Sequence, residues 1–156
     1  MYICIQNTFL ILIHYLLKHK TIMATIFTKI INGEIPAYKI AEDDNYLAFL
    51  DINPLKIGHA LAIPKKEVDY IFDLDNETLA GLSIFAKKVA RGIEKVVTCK
   101  RVAVLVLGLE VPHAHIHLIP LDQESDTHMK NARVKLTPEE FEKLTLQLSE
   151  AIQNEE

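Results

Sequence analysis

The stretch VPHAHIHLIP carries three histidines at alternate positions, His113, His115 and His117. Alternate side chains of an extended strand point to the same face, so this spacing predicts three imidazoles in a row, roughly 6.5–7 Å apart. Ala114 and Ile116 would then point to the opposite face, into the core. Imidazole can bind a metal ion, transfer a proton near neutral pH or attack phosphorus, and a row of three is compatible with each of these chemistries.

A phosphate is the ligand that the row fits best. A metal ion needs three or four donors at about 2 Å from one centre, and successive histidines on one strand face converge poorly on a single point. Apart from Glu110, no acidic or cysteine ligand stands nearby to complete a set. A phosphoryl group is larger, so one imidazole can attack phosphorus while another binds its oxygens. We therefore predict no metal and no cofactor; a row of purely structural histidines is the third possibility.

Composition limits the class of protein. A chain of 156 residues suits one domain, and 49% hydrophobic with 24% charged residues is typical of a globular fold. The net charge of −4 and the lack of a basic cluster argue against a nucleic-acid partner. Two cysteines imply no disulfide framework and favour a reducing compartment, so we expect a cytoplasmic protein.

Residues 1–22 differ from the rest and are predicted to be a separate N-terminal extension. They are apolar, but Gln6, Asn7 and His14 interrupt the run, and it is too short for a comfortable membrane span. The segment also lacks the basic start of a secretory signal. We interpret it as an upstream translation start, with a weak membrane or partner helix as the alternative. Residues 23–156 are then a single domain, and no membrane partner is expected.

Local patterns predict an α+β domain. Residues 25–32 are expected to form a short helix that ends at Gly33, because glycine takes positive φ at little cost. YKIAEDD and YLAFLDI are predicted as two strands joined by an acidic turn, and GHALAIP as a third strand closed by Pro64. A long helix is predicted from Asn76, with Asp75 as its cap.

The second half continues the pattern. RVAVLVLG is apolar on both faces, which indicates a strand at the centre of the sheet or at a contact between subunits. The histidine stretch is expected to form the next strand. Thr137, Pro138 and Glu140 mark the start of a C-terminal helix.

Several blocks together resemble a known family. PHAHIHLIP is similar to the signature of the histidine triad (HIT) family, and IFTKIINGEIPA, EDDNYLAFLDINP and GHALAIPKKE resemble its earlier blocks in order, from Thr25 to Leu121. The resemblance implies an α+β, HIT-like fold with a mainly antiparallel sheet, one long helix and a C-terminal helix, the sheet continuing across a homodimer. It also implies hydrolysis of purine nucleotide derivatives, such as phosphoramidates, at the α-phosphate through a nucleotidyl-histidine intermediate.

The resemblance assigns roles by position. His115 would be the nucleophile, His117 would bind the phosphate, His113 would orient the site, and His59 would support His113 from a neighbouring strand. Taken alone, His59 is equally well a satisfied core histidine. Asp51 would take the ribose hydroxyls, although a turn residue is the simpler explanation of an aspartate after a strand.

Two further groups complete the predicted nucleotide site. Six residues match the apolar wall around the base, although periodicity alone would place them in the core: Ile26, Phe27, Ile30, Ile35, Phe49 and Ile52. Leu109 and Glu110 stand where relatives carry Gln and Ser or Thr, and the usual Asn is missing. A carboxylate repels phosphate, so Glu110 is expected to alter the rate or the substrate specificity, and a nucleotide-binding module with little turnover is the alternative. Glu110 could instead donate a proton to an amine leaving group.

Overall fold

The computed structural model describes residues 24–155, so the interpretation of residues 1–22 lies outside the described part and stays a prediction. Eight helices and strands follow one another: α1 (Ile26–Ile31), β1 (Lys39–Glu42), β2 (Tyr46–Leu50), β3 (Ala60–Pro64), α2 (Asn76–Val96), β4 (Arg101–Leu105), β5 (Ile116–Leu121) and α3 (Pro138–Gln153). The predicted α+β class is confirmed. No helix within residues 24–155 is long and apolar enough to cross a membrane.

The five strands form one antiparallel sheet in the order β1-β2-β3-β5-β4. The histidine-bearing strand β5 therefore lies between β3 and β4. His117 pairs with Leu61 of β3 on one side and with Leu105 of β4 on the other. The third histidine of the row is thus fixed by hydrogen-bonded neighbours on both sides.

One face of the sheet is covered by the two long helices. Asp75 caps α2 by accepting a hydrogen bond from the Thr78 backbone N–H at 2.8 Å, as predicted. The buried face of α2 packs on the sheet and on α3. A Cβ on Gly92 would lie only 3.1 Å from the Ile152 backbone, so this glycine allows the close approach of α3.

The other face is covered by α1, and this second layer leads to the site. Thr25 caps the helix, and Gly33 follows it with φ of +76°. Phe27 and Ile30 of α1 are buried against apolar side chains of the sheet. These sheet residues are Leu47, Phe49, Leu61 and Ile63. The short helix exists because it buries this apolar pair, since six residues are too few to hold a helix in isolation.

Two sequence interpretations need correction. Strand β4 is not central but lies at the sheet edge, with Val104 64% exposed. Its apolar outer face leaves the predicted subunit contact as the remaining interpretation, and a chain that sediments as a monomer at micromolar concentration would contradict it.

Strand β5 begins only at Ile116, because Pro112 lacks an N–H and Ala114 instead donates to the Val68 carbonyl at 2.6 Å. His113 and His115 therefore precede the strand.

Candidate active site

The four predicted histidines are all buried, and three of them form a contiguous row. The ring centroids of His115 and His117 are 4.9 Å apart, and those of His117 and His59 are 5.3 Å apart. His113 is fully buried beside them, at the other end of the stretch. The row therefore consists of His115, His117 and His59. The prediction that His113 would be its end member is wrong, because His59 takes an end position instead.

His115 is held in the tautomer that a nucleophile requires. Its Nδ1 lies 2.7 Å from the backbone carbonyl oxygen of His113. A carbonyl oxygen only accepts hydrogen bonds, so Nδ1 carries the proton and the neutral ring has its lone pair on Nε2. A cavity of about 340 Å³ reaches His115 and is lined mainly by apolar side chains, including Tyr70 and Phe72.

His59 and His117 are also oriented by a chain of hydrogen bonds. The Leu55 backbone N–H donates to His59 Nδ1 at 3.2 Å, so the proton of neutral His59 is on Nε2. That atom lies 3.1 Å from His117 Nδ1 and donates to it. The proton of His117 is then on its own Nε2, which makes that atom a donor for an incoming oxygen.

Burial keeps both of these rings neutral. Burial, and then the nearby His115 and His59, lower the pKa of His117 to about 4. Burial also lowers the pKa of His59, with a smaller opposing effect from the Asp51 carboxylate. At neutral pH the pair therefore carries no net charge, and its orientation comes from hydrogen bonds rather than from ion pairing.

The predicted partnership of His59 with His113 is wrong. Strands β3 and β5 run antiparallel, so the start of β3, next to His59, faces the part of β5 beyond His117. His113 lies toward the other end of β3, where its Nε2 donates to the Pro64 carbonyl at 2.8 Å. Its Nδ1 lies 3.2 Å from Thr25 Oγ1. Burial is the main cause of a lowered pKa at His113, so this ring is neutral as well.

Asp51 lies at the end of the histidine row. Its Oδ2 is 3.5 Å from His59 Nδ1, while its Oδ1 accepts a hydrogen bond from the Asn53 backbone at 2.8 Å. The side chain is thus both a turn residue and a member of the site. Asp51, His59 and His117 each offer one ligand atom within 4.8 Å of the others, so they could hold a divalent cation. Such an ion would displace the hydrogen bond between the two rings.

Four of the six predicted wall residues come together. Phe27, Ile30 and Phe49 are buried in the cluster under α1, and Ile35 packs against it. The Phe27 ring contacts the His115 ring edge-on, with centroids 5.3 Å apart, so the cluster reaches the nucleophile position.

Three other predicted residues are exposed to solvent. Ile26 and Ile52 are 49% and 75% exposed, so a bound base rather than the core would have to cover them. Glu110 is exposed as well. Within the part of the chain that the structure describes, its carboxylate makes no hydrogen bond or ion pair.

Two residues near the site escaped the sequence interpretation. Thr25 contacts His113, although its only sequence signal is that of a helix cap. Arg133 lowers the pKa of both His59 and His117 through its charge. Its loop is held to the Asp51 side of the site by a hydrogen bond from the Val134 N–H to the Pro54 carbonyl, 2.9 Å long. No local pattern relates Arg133 to the histidines, since the fold alone brings them together.

A larger cavity lies away from this chemistry. It measures about 570 Å³ and is lined by the end of α2, by Pro120 and by side chains of α3. None of the four site histidines lines it, and its two charged residues, Lys56 and Asp122, already form an ion pair with each other. The histidine row, rather than the larger cavity, is therefore the candidate active site.

Comparison with known proteins agrees with this geometry. The HIT domain family matches residues 32–124, which include Asp51, His59 and the triad. An uncharacterized HIT-like protein of Borreliella burgdorferi is 35% identical over 132 residues, covering 80% of this chain and 95% of the relative. The adenosine 5'-monophosphoramidase of Schizosaccharomyces pombe is 35% identical over 136 residues, covering 83% and 99%. The crystal structure of a hypothetical histidine triad nucleotide-binding protein from Sulfolobus tokodaii matches with a TM-score of 0.73 and 32% identity, covering 82% of this chain and 91% of that one. The chain therefore belongs to the HIT, or histidine triad, family.

Proposed function

We propose that the protein is a hydrolase that cleaves purine nucleotide derivatives, in particular nucleoside phosphoramidates, at the α-phosphate. The observation that carries the proposal is the hydrogen bond from His115 Nδ1 to the His113 carbonyl, which leaves the Nε2 lone pair ready to attack. The name of the Schizosaccharomyces pombe relative supports the substrate class.

The reaction would take two steps. In the first, His115 Nε2 forms a bond to phosphorus while the bond from phosphorus to the leaving nitrogen breaks, and that nitrogen takes a proton from solvent water and leaves as the neutral amine. In the second, water attacks the nucleotidyl-histidine and releases the nucleoside monophosphate, which restores His115. His117 Nε2–H would donate to a phosphate oxygen in both steps, because its other nitrogen is occupied by His59.

The remaining predicted residues would bind the nucleoside. Asp51 has one carboxylate oxygen held by its own turn and a second beside His59, so the second oxygen would accept from the ribose hydroxyls. The apolar cluster under α1 would receive the base, since Phe27 already contacts the ring of His115. In this proposal, phosphorus would lie between the histidine row and the apolar cluster under α1.

The direct test is turnover of the full chain on two substrate classes, adenosine 5'-phosphoramidate and diadenosine polyphosphates. We expect release of AMP and ammonia from the first class, with activity retained in EDTA. Binding without release would instead indicate a nucleotide-binding module. Activity that EDTA abolishes and Zn²⁺ restores would favour a metal centre at Asp51, His59 and His117.

Replacing Glu110 with serine tests whether its carboxylate limits phosphate affinity. If Glu110 lies at the rim of the site, Glu110→Ser should tighten AMP binding by up to about fivefold at low salt, because an anion is replaced by a hydrogen-bond donor. The gain should shrink as salt is added. Isothermal titration at two salt concentrations measures it, with the exposed Glu124→Ser as the control. A fall in phosphoramidate turnover of about 10²-fold would show that Glu110 donates the proton to the amine. If neither the AMP affinity nor the phosphoramidate turnover changes, Glu110 does not act at the site.

A further inference from the structure

Thr25, which caps helix α1, makes a second hydrogen bond in addition to the cap. Thr25 Oγ1 accepts a hydrogen bond from the Thr28 backbone N–H at 3.1 Å, which is the ordinary role of an N-cap. The same oxygen lies 3.2 Å from His113 Nδ1. His113 Nε2 carries its proton toward the Pro64 carbonyl, so Nδ1 of the neutral ring can only accept. The Thr25 hydroxyl therefore donates its proton to His113.

Glu67 fixes the direction of this donation. Its Oε2 accepts from the Thr25 backbone N–H at 3.3 Å and from the Thr28 hydroxyl. Because the Thr28 proton is directed to Glu67, Thr28 does not donate to Thr25 Oγ1, although the two hydroxyls are 3.1 Å apart. Thr25 and His113 are both buried, and a buried ring nitrogen without a hydrogen-bond partner is destabilising, which favours donation from the hydroxyl to the ring.

The His113 ring is thus held from two sides, by α1 through Thr25 and by β3 through Pro64. The backbone carbonyl of the same residue accepts the His115 Nδ1 proton. A displacement of the His113 main chain that follows a change in its ring orientation would disturb that bond. If His115 Nδ1 lost the His113 carbonyl as its acceptor, the His115 proton could move to Nε2, where it would block attack on phosphorus.

We propose that Thr25 and Glu67 are positioning residues for His115, acting through His113 to keep the nucleophilic nitrogen unprotonated. The proposal rests on the proposed hydrolase function, but it concerns the state of the ring before substrate binds. Neither residue need touch the substrate. Both lie outside the triad, and Thr25 also lies outside the matched HIT domain range of residues 32–124.

Thr25→Val tests the relay, because valine keeps the shape and removes the hydroxyl. We expect kcat to fall by about 10- to 100-fold with KM changed less than about threefold, since the nucleophile rather than the binding surface is disturbed. The ¹⁵N shifts of His113 and His115, recorded in the free full-length protein, should show His115 leaving the single Nδ1–H tautomer. Thr25→Ser, which keeps the hydroxyl, should retain both the tautomer and kcat, and Glu67→Gln should give an intermediate loss.

Loss of a helix cap needs its own control. Thr137→Val removes the hydroxyl that caps α3 in the same way and lies away from the histidines. It should lower stability by a similar amount and leave kcat and the tautomer unchanged. An unaltered His115 tautomer in Thr25→Val, or an equal fall in kcat in Thr137→Val, would overturn the proposal. If the unmodified protein has no turnover, the proposed hydrolase function fails, but the tautomer measurement still decides the relay.

Discussion

His115→Ala is expected to lower turnover of adenosine 5'-phosphoramidate by at least about 10⁴-fold, because it removes the group that we propose bonds to phosphorus. Binding of AMP should remain within about tenfold of the unmodified protein. The reason is that the predicted ribose and base contacts, through Asp51 and the cluster under α1, do not involve this ring. Steady-state kinetics and equilibrium titration give the two quantities separately.

The matched control is the exposed His128→Ala, which removes an imidazole outside the site. It should retain full activity. Acid-free quenching of the unmodified protein with radiolabelled substrate should trap one nucleotidyl group per chain, and His115→Ala should trap none. Turnover of His115→Ala close to that of the unmodified protein would exclude the covalent mechanism.

The second large effect is a loss of stability at mildly acidic pH. Burial lowers the pKa of His117 from an ordinary value of 6.5 to about 4. Above pH 6.5 the ring is neutral in both folded and unfolded chains, and its contribution to stability is complete. Between pH 6.5 and 4 the unfolded chain binds a proton that the folded chain does not. The free energy of unfolding therefore falls as the pH falls through this window, by about 3 kcal/mol for a difference of this size.

Urea unfolding at a series of pH values between 7 and 4 measures this dependence. His117→Gln, whose side chain can still accept from His59, should reduce the slope by about 1.4 kcal/mol per pH unit, which corresponds to one proton. His128→Gln should leave the slope unchanged, since that histidine is exposed. His59 and His113 also have lowered pKa values, so part of the slope should persist in His117→Gln. A flat stability profile across this range would contradict the neutral state of the buried His59 and His117 pair.

Local signals in the sequence were sufficient where one short stretch decides the structure. The start of α3 follows from Thr137 and Glu140, which form a capping box, and from Pro138, the first residue of the helix. The cap of α2 at Asp75 follows in the same way. In both cases the residues that determine the structure are at most a few positions apart, so a short stretch of sequence carries the whole signal.

Signals that depend on distant segments were insufficient. The alternation of histidines predicted a site at this stretch, but it could not reveal that β3 pairs with β5 in the register that places His59 beside His117. The apolar sequence of β4 predicts burial on both faces, yet Val104 is 64% exposed, and the sequence does not say whether a strand or a second subunit covers the edge of β4. Thr25 and Arg133 are remote from the triad in sequence, so only the folded chain relates them to it.

The hydrogen bonds from Leu55 through His59 to His117 all run in one direction. Each neutral ring therefore adds its dipole to the next, with the positive end at His117 Nε2. An incoming phosphate would meet this aligned positive end, yet burying the rings does not incur the large desolvation cost of burying a cation. The site is in this sense prepolarised: its field is already set before the substrate arrives, and little reorientation is needed when charge develops on the phosphate oxygens.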